Sequence, residues 1–191
     1  PALALANPIA ADLSDMRPSL MPGLVMAAQR NADRGYADVA LFEVGQVFKG
    51  DGERDQRMAA AGLRRGLASS EGLGRHWTGS DDADVYDVKA DVLAALAAMN
   101  VPVGGMQVVP ANQINPAPAH LHPGRAAILR FGPKDVIGWF GELHPRAVEA
   151  IGAEGRMVAF EIVLDGLPSA KKKATKAKPK LELAELQPVS R

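Results

Sequence analysis

The segment ADVALFEVGQVFK, residues 37–49, decides the fold class of this chain. Its residues alternate between two faces, so that Leu41 and Phe42 point to opposite sides, which is the period of a β-strand. A polar stretch follows at 50–57, and RMAAAGLRRG at 57–66 predicts a second strand. The segment therefore predicts a β-hairpin.

Other segments extend this pattern along the chain. Ser19 is a predicted N-cap for a helix that Gly35 ends, and apolar residues at three- and four-residue spacing predict a helix over 84–100. Further strands are predicted at 106–111, 125–131, 136–143 and 155–167, with a short helix at 144–152. Strands in adjacent hairpins with helices between them predict an α+β domain, an antiparallel sheet with its helices on one face.

Composition excludes several classes of site. The 191 residues are 47% hydrophobic and 23% charged, and the formal net charge of zero gives no bulk argument for nucleic acid. The absence of cysteine excludes disulfides, thiolate nucleophiles and cysteine zinc sites, and fits a reducing compartment. No apolar run approaches the roughly 18 residues that cross a bilayer. We expect a cytoplasmic protein without a membrane segment.

Motifs for nucleophilic catalysis and for phosphate binding are missing. The chain has no G-x-S-x-G and no G-x-x-x-x-G-K-[ST]. The Gly-x-Gly in GLGRHW at 72–77 follows no strand and is predicted to be loop.

Two polar clusters each have a functional and a structural interpretation. His120 and His122 can place two imidazoles on a metal, but they lie in a proline-rich segment that favours a solvated or packing loop. His144 is predicted to cap or pack at a short helix. The four aspartates of DDADVYD, residues 81–87, can bind a hard cation, but favour a helix N-terminus.

Two basic features remain open. The stretch KKKATKAKPK, residues 171–180, holds six lysines and favours a solvated linker, with contact to an RNA backbone as the alternative. In LANPIAADLSDMRPSLMPGLV, residues 5–25, Arg17 can clamp a carboxylate or phosphate, or pair with Asp12 or Asp15 and lock the loop.

Six segments occur in the same order in bacterial phenylalanyl-tRNA synthetase beta subunits, which the chain up to about residue 167 resembles. They are NPIAADLSDMRPSLMPGLV, NADRGYADVALFEVGQVF, DVYDVKADVLAAL, HLHPGRAAIL, IGWFGELHP and VAFEIVLDGL. The resemblance implies a class II synthetase-like catalytic fold, an antiparallel β-sheet flanked by helices. It also implies a holoenzyme of two alpha and two beta subunits that attaches phenylalanine to tRNA(Phe) with ATP and magnesium.

The resemblance further implies that this module is not catalytic. Class II modules use an arginine on the motif 2 strand, where this chain has LFEVGQVF, with Phe42 before Glu43. They use Gly-x-Gly-x-x-Arg in motif 3. In this chain Glu161 and Val163 occupy the positions of the two glycines, and Gly166 occupies the position of the arginine. We therefore expect no cofactor in this piece, which alone is predicted to be inactive.

The resemblance also predicts the organisation of the chain. Residues 1–168 are expected to form a partial catalytic-like module without the class II motif 1. Residues 169–181 are expected to be a lysine-rich linker, and residues 182–191 the start of a connection to a ferredoxin-like anticodon-binding domain. Both ends are expected to be those of a piece of a longer polypeptide. Four residues are candidates for a place in the core, for locking the loop or for contact with the alpha subunit: Met16, Arg17, Leu20 and Met21.

Five lysines are candidates for contact with RNA: Lys171, Lys172, Lys173, Lys176 and Lys178.

Overall fold

A single antiparallel sheet organises the part of the chain that this computed structural model describes, which is residues 3–9, 14–68, 81–133 and 135–169. Its six strands run in the order β1-β2-β6-β5-β4-β3. They are β1 (Val39–Phe48), β2 (Gln56–Arg65), β3 (Gln107–Pro110), β4 (Leu121–Arg130), β5 (Val136–Leu143) and β6 (Met157–Val163). The predicted antiparallel α+β architecture is confirmed.

Two hairpins build most of the sheet. Strands β1 and β2 pair without interruption from Val39 opposite Arg65 to Phe48 opposite Gln56, as the alternation in β1 predicts. Strands β4 and β5 form the second hairpin, with a shift in register between Leu121 and Ala126. Strand β4 begins at Leu121, which pairs with Leu143, four residues before the predicted start. Strand β6 joins the two hairpins by pairing with β2 and β5.

The helices cover both faces of the sheet. They are α1 (Met21–Asp33), α2 (Val85–Ala98) and α3 (Pro145–Ala150). Helices α1 and α3 belong to one hydrophobic cluster, and α2 packs through Val88, Val92 and Leu96 into the other. The prediction of helices on one face is therefore wrong. The reason is visible in β6, whose first six residues are all buried, as in a strand covered on both sides.

Side chains cap two of the helices as predicted. Asp84 accepts hydrogen bonds from the amides of Tyr86 and Asp87, and the Asp87 carboxylate accepts one from the Asp84 amide. This reciprocal pair is a capping box, which confirms the structural interpretation of DDADVYD. His144 caps α3, since its Nδ1 accepts from the Arg146 amide at 3.2 Å. No helix in the described ranges has the length and apolar character needed to span a bilayer.

Candidate functional site

The α1-bearing face of the sheet carries two carboxylates in one cross-strand row. Residues directly opposite each other in neighbouring strands share a face of the sheet. The row consists, strand by strand, of Glu43 in β1, Ala61 in β2, Glu161 in β6 and Trp139 in β5. The two acids therefore point toward the segment that leads into α1.

Glu161 anchors the start of α1. Its carboxylate is buried, with 9% of the residue exposed. One oxygen accepts from the Ser19 hydroxyl at 2.6 Å, and the other accepts from the Leu20 amide at 3.0 Å. The first turn of a helix has amides without intrahelical partners and a partial positive charge, so a carboxylate stabilises it.

The predicted N-cap at Ser19 is wrong by one residue. Leu20 is the N-cap of α1, and its side chain makes no capping bond. The Ser19 oxygen instead accepts from the Met21 amide at 3.1 Å while its hydroxyl donates to Glu161. Capping at α1 is thus shared between a serine next to the helix and a carboxylate on a distant strand.

Arg17 lies across β1 and pairs with the other acid of the row. Its Nη1 is 2.5 Å from Glu43 Oε1, and its Nε donates to the Gln46 carbonyl at 2.9 Å. The guanidinium lies over Gly45, where a Cβ would overlap Nη2. The absence of a side chain at this position lets the arginine lie against the strand.

Between described residues Arg17 pairs with Glu43 and not with Asp15, one of the two partners proposed from sequence, while its pairing with Asp12 stays a prediction. The carboxylate of Asp15 accepts from the Ser14 hydroxyl at 3.0 Å, and Asp12 lies outside the described residues. Glu43 is 26 positions from Arg17, so only the docking of the segment on β1 brings the two together.

The apolar candidates of the same segment divide into core and surface positions. Leu20 and Met21 are buried, at 1% and 5% exposure, in the cluster that contains α1 and α3. Met16 is half-buried. In this chain Leu20 and Met21 therefore serve the internal core.

The three motif 3 positions occupy different environments. Glu161 is buried within β6, Val163 is half-buried at the end of that strand, and Gly166 follows in a turn with a φ of +77°. Of the three, only Glu161 is hydrogen-bonded to the segment that leads into α1. A single acid within the otherwise apolar run VAFEIV was the sequence signal for a buried polar contact, but its partners are 141 and 142 positions away.

A cavity of about 370 Å³ opens beside this anchor, between α1, α3 and the sheet. Trp139 and His120 pack edge to face in its wall, with ring centroids 5.1 Å apart. Burial lowers the pKa of His120, so the imidazole is uncharged at neutral pH. The remaining wall is largely apolar and includes Met21, Val25, Leu143, Val148 and Ile151.

The H-x-H pair does not converge on one point. His120 precedes β4 and contacts Trp139, whereas His122 stacks on His144 with centroids 6.5 Å apart. His122 Nδ1 accepts from the Gly124 amide at 3.2 Å. Across the described ranges, no three or more histidine and acidic side chains are grouped so as to hold a metal ion.

A separate charge cluster joins β4, β5 and the residue that precedes β6. The buried carboxylate of Glu142 receives two hydrogen bonds from Arg125, at 2.6 and 2.7 Å, and one from Arg156 at 2.9 Å. Burial acts to raise the pKa of Glu142, but the hydrogen bonds from the two arginines outweigh it and the pKa is lowered.

Several sequence predictions fall on residues outside the described ranges. These are the Gly-x-Gly of residues 72–77 with His76, and the candidate RNA contacts Lys171, Lys172, Lys173, Lys176 and Lys178. Those predictions stay as they were made.

Comparison with known proteins places the chain in a family. Residues 1–164 match the family described as phenylalanyl tRNA synthetase beta chain CLM domain. Relatives called phenylalanine–tRNA ligase beta subunit include those of Nitrobacter winogradskyi, 62% identical over 99% of this chain, and Rhodopseudomonas palustris, 60% identical over all of it. The chain spans 23% of the length of each of these two relatives.

Among solved structures, a pyrrolysyl tRNA synthetase from Desulfitobacterium hafniense has a similar fold. Its TM-score is 0.53 at 13% identity, over 83% of this chain and 50% of that one. This likeness concerns the fold alone, whereas the sequence matches cover nearly the whole chain. The chain belongs to the phenylalanyl tRNA synthetase beta chain CLM domain family.

Proposed function

We propose that this chain is a non-catalytic structural and assembly module of a phenylalanine–tRNA ligase. In this proposal it supports a catalytic alpha subunit, in an assembly of two alpha and two beta chains, and helps to place tRNA(Phe). ATP and magnesium act elsewhere in that holoenzyme. The names of the relatives support a role in this ligase. The antiparallel sheet and the similar fold of a pyrrolysyl tRNA synthetase support a class II-like origin.

The observation that carries the non-catalytic part is the occupation of the α1-bearing sheet face. Glu43 and Glu161 hold residues 17–20 against this face, and Glu161 is buried there. A triphosphate placed on the same face would meet two carboxylates, and like charges at short range are unfavourable in a partly buried site. The one arginine of this segment, Arg17, is already paired with Glu43.

Exposed apolar side chains support the assembly part. Phe42 and Val44 are 83% and 58% exposed on β1, an edge strand of the sheet. They alternate with Glu43 and so lie on the face opposite to α1. Neighbouring exposed apolar residues on an edge strand are typical of a protein contact.

Isothermal titration separates the two parts of the proposal. The chain is titrated with ATP and magnesium, with and without phenylalanine, and then with the alpha subunit. We expect no nucleotide binding and saturable binding to alpha. ATP binding in the absence of alpha would overturn the non-catalytic assignment.

A matched pair of variants tests the contact. Phe42→Ser is expected to weaken binding to alpha, and Gln46→Ser, exposed on the same face of β1, is expected to leave it unchanged. Equal affinity of the wild type and both variants for alpha would exclude Phe42 from the interface.

Six lysines within residues 171–180 favour a second candidate, contact with the RNA backbone. Each phosphate contact releases counterions, so affinity falls with salt. Replacing Lys171, Lys172 and Lys173 by alanine in the assembled enzyme should weaken tRNA binding and flatten its salt dependence. An unchanged salt dependence would exclude this role.

A further inference from the structure

The cavity beside Trp139, named here the Trp139 pocket, has the size and lining of a small-molecule site. Its volume of about 370 Å³ lies within the range of roughly 300–1,000 Å³ that such sites occupy. Trp139, Val25 and Val148 supply apolar wall, and Ser19, His120 and Glu161 supply the polar groups. Sites of this kind combine a mainly apolar surface with a few convergent polar atoms.

The charge of the Trp139 pocket is set by one residue. Among the residues that the structure describes, Glu161 is the only charged side chain in the lining, because the wall contains no lysine, arginine or second acid and burial keeps His120 uncharged. The Ser19 hydroxyl and the Leu20 amide each occupy one acceptor site of the carboxylate. An ionised carboxylate has about four such sites, so acceptor capacity remains.

The start of α1 compensates only part of this charge. A helix N-terminus carries roughly half of one positive charge, and the two bonds to Glu161 come from neutral donors. A buried carboxylate without a cationic partner is unusual, and pairing with a cation stabilises it. Trp139 supplies an aromatic part of the wall of the same pocket.

We propose that the Trp139 pocket binds a small primary amine, with the ammonium group at Glu161 and an apolar or aromatic body beside Trp139. Anionic molecules are disfavoured by Glu161, and a zwitterionic amino acid is disfavoured because its carboxylate would lie near that of Glu161. The proposed ligand is not a nucleotide, and the proposal does not depend on whether this chain acts in catalysis.

Three probes of the same size and different charge test the proposal. They are 4-(trifluoromethyl)benzylamine, the corresponding benzyl alcohol and the corresponding benzoate, observed by fluorine NMR. The protein is the full-length beta chain assembled with alpha, with saturating phenylalanine present throughout. We expect the amine to bind about tenfold more tightly than the alcohol, as for a partly screened ion pair, and the benzoate to bind most weakly.

A pair of leucine substitutions in α3 locates the binding. Ala147 lines the pocket at a half-exposed position, so Ala147→Leu fills the cavity from a helix that tolerates leucine. Ala150→Leu, exposed on the same helix and outside the lining, is the control. The first variant should abolish amine binding and the second should leave it unchanged.

A charge-neutral variant tests the role of the carboxylate. Glu161→Gln should bring the ratio of amine affinity to alcohol affinity close to one. General loosening of α1 would not lower this ratio. The proposal is overturned if the wild-type assembly binds none of the probes, if the three probes bind equally, or if Ala147→Leu leaves amine binding intact.

Discussion

Glu43 and Glu161 lie in the same cross-strand row, with Ala61 between them, and hold the same four-residue segment. Glu43 pairs with Arg17, and Glu161 accepts from Ser19 and Leu20. The chain leading into α1 is therefore fixed on an edge strand and on an interior strand at once. The two attachments differ in burial, and their contributions to stability should differ accordingly.

Glu161→Ala is expected to lower the free energy of unfolding by about 1–3 kcal/mol, because it leaves the buried Leu20 amide without an acceptor. Urea denaturation at neutral pH measures the change. Glu149→Ala, at an exposed position on α3, is the control and should cost much less. Equal costs for the two variants would contradict the anchoring role.

Arg17 and Gly45 should be energetically coupled. The pair of Arg17 with Glu43 is partly exposed, so Arg17→Ala should cost at most about 1 kcal/mol. Gly45→Ala should destabilise the wild type, because the new Cβ displaces the guanidinium.

In the Arg17→Ala background the same glycine substitution should be neutral or stabilising, since alanine restricts the unfolded chain. A double-mutant cycle measured by urea denaturation gives the coupling free energy. Additive effects would mean that Arg17 does not lie over Gly45 in solution.

Glu142 should make stability depend on pH. Its pKa in the folded protein is lowered from 4.5, so its contribution is present above that value and is lost as the pH falls through the folded pKa. The difference in unfolding free energy between wild type and Glu142→Gln should be largest at neutral pH and shrink below about pH 4.5. A difference that stays constant from pH 7 to pH 3 would exclude this linkage.

Asp84 should stabilise α2 through its side-chain oxygen. Asp84→Ala removes the acceptor for the amides of Tyr86 and Asp87 and should cost about 1 kcal/mol. Asp84→Asn keeps an acceptor of similar quality and should be nearly neutral. Thermal unfolding of the two variants compares them, and equal losses would attribute the effect to charge and not to capping.

Local signals predicted much of the fold. The β1–β2 hairpin follows from alternation and a polar turn, and α2 follows from Asp84 and an apolar stripe, all within short stretches of chain. The anchor at Glu161 could not be predicted in this way, because its partners are 141 and 142 positions distant. The same limit explains Arg17, whose partner Glu43 is 26 positions distant.

The span between Ser19 and Glu161 also bears on how the chain acquires its structure. During synthesis residues 17–20 emerge before β6, and the Leu20 amide is 141 positions from its acceptor. The β1–β2 hairpin can form early from local pairing, whereas α1 cannot be locked in place until β6 exists. Contacts of such long sequence separation slow folding, so docking of α1 is expected to be a late, rate-limiting event.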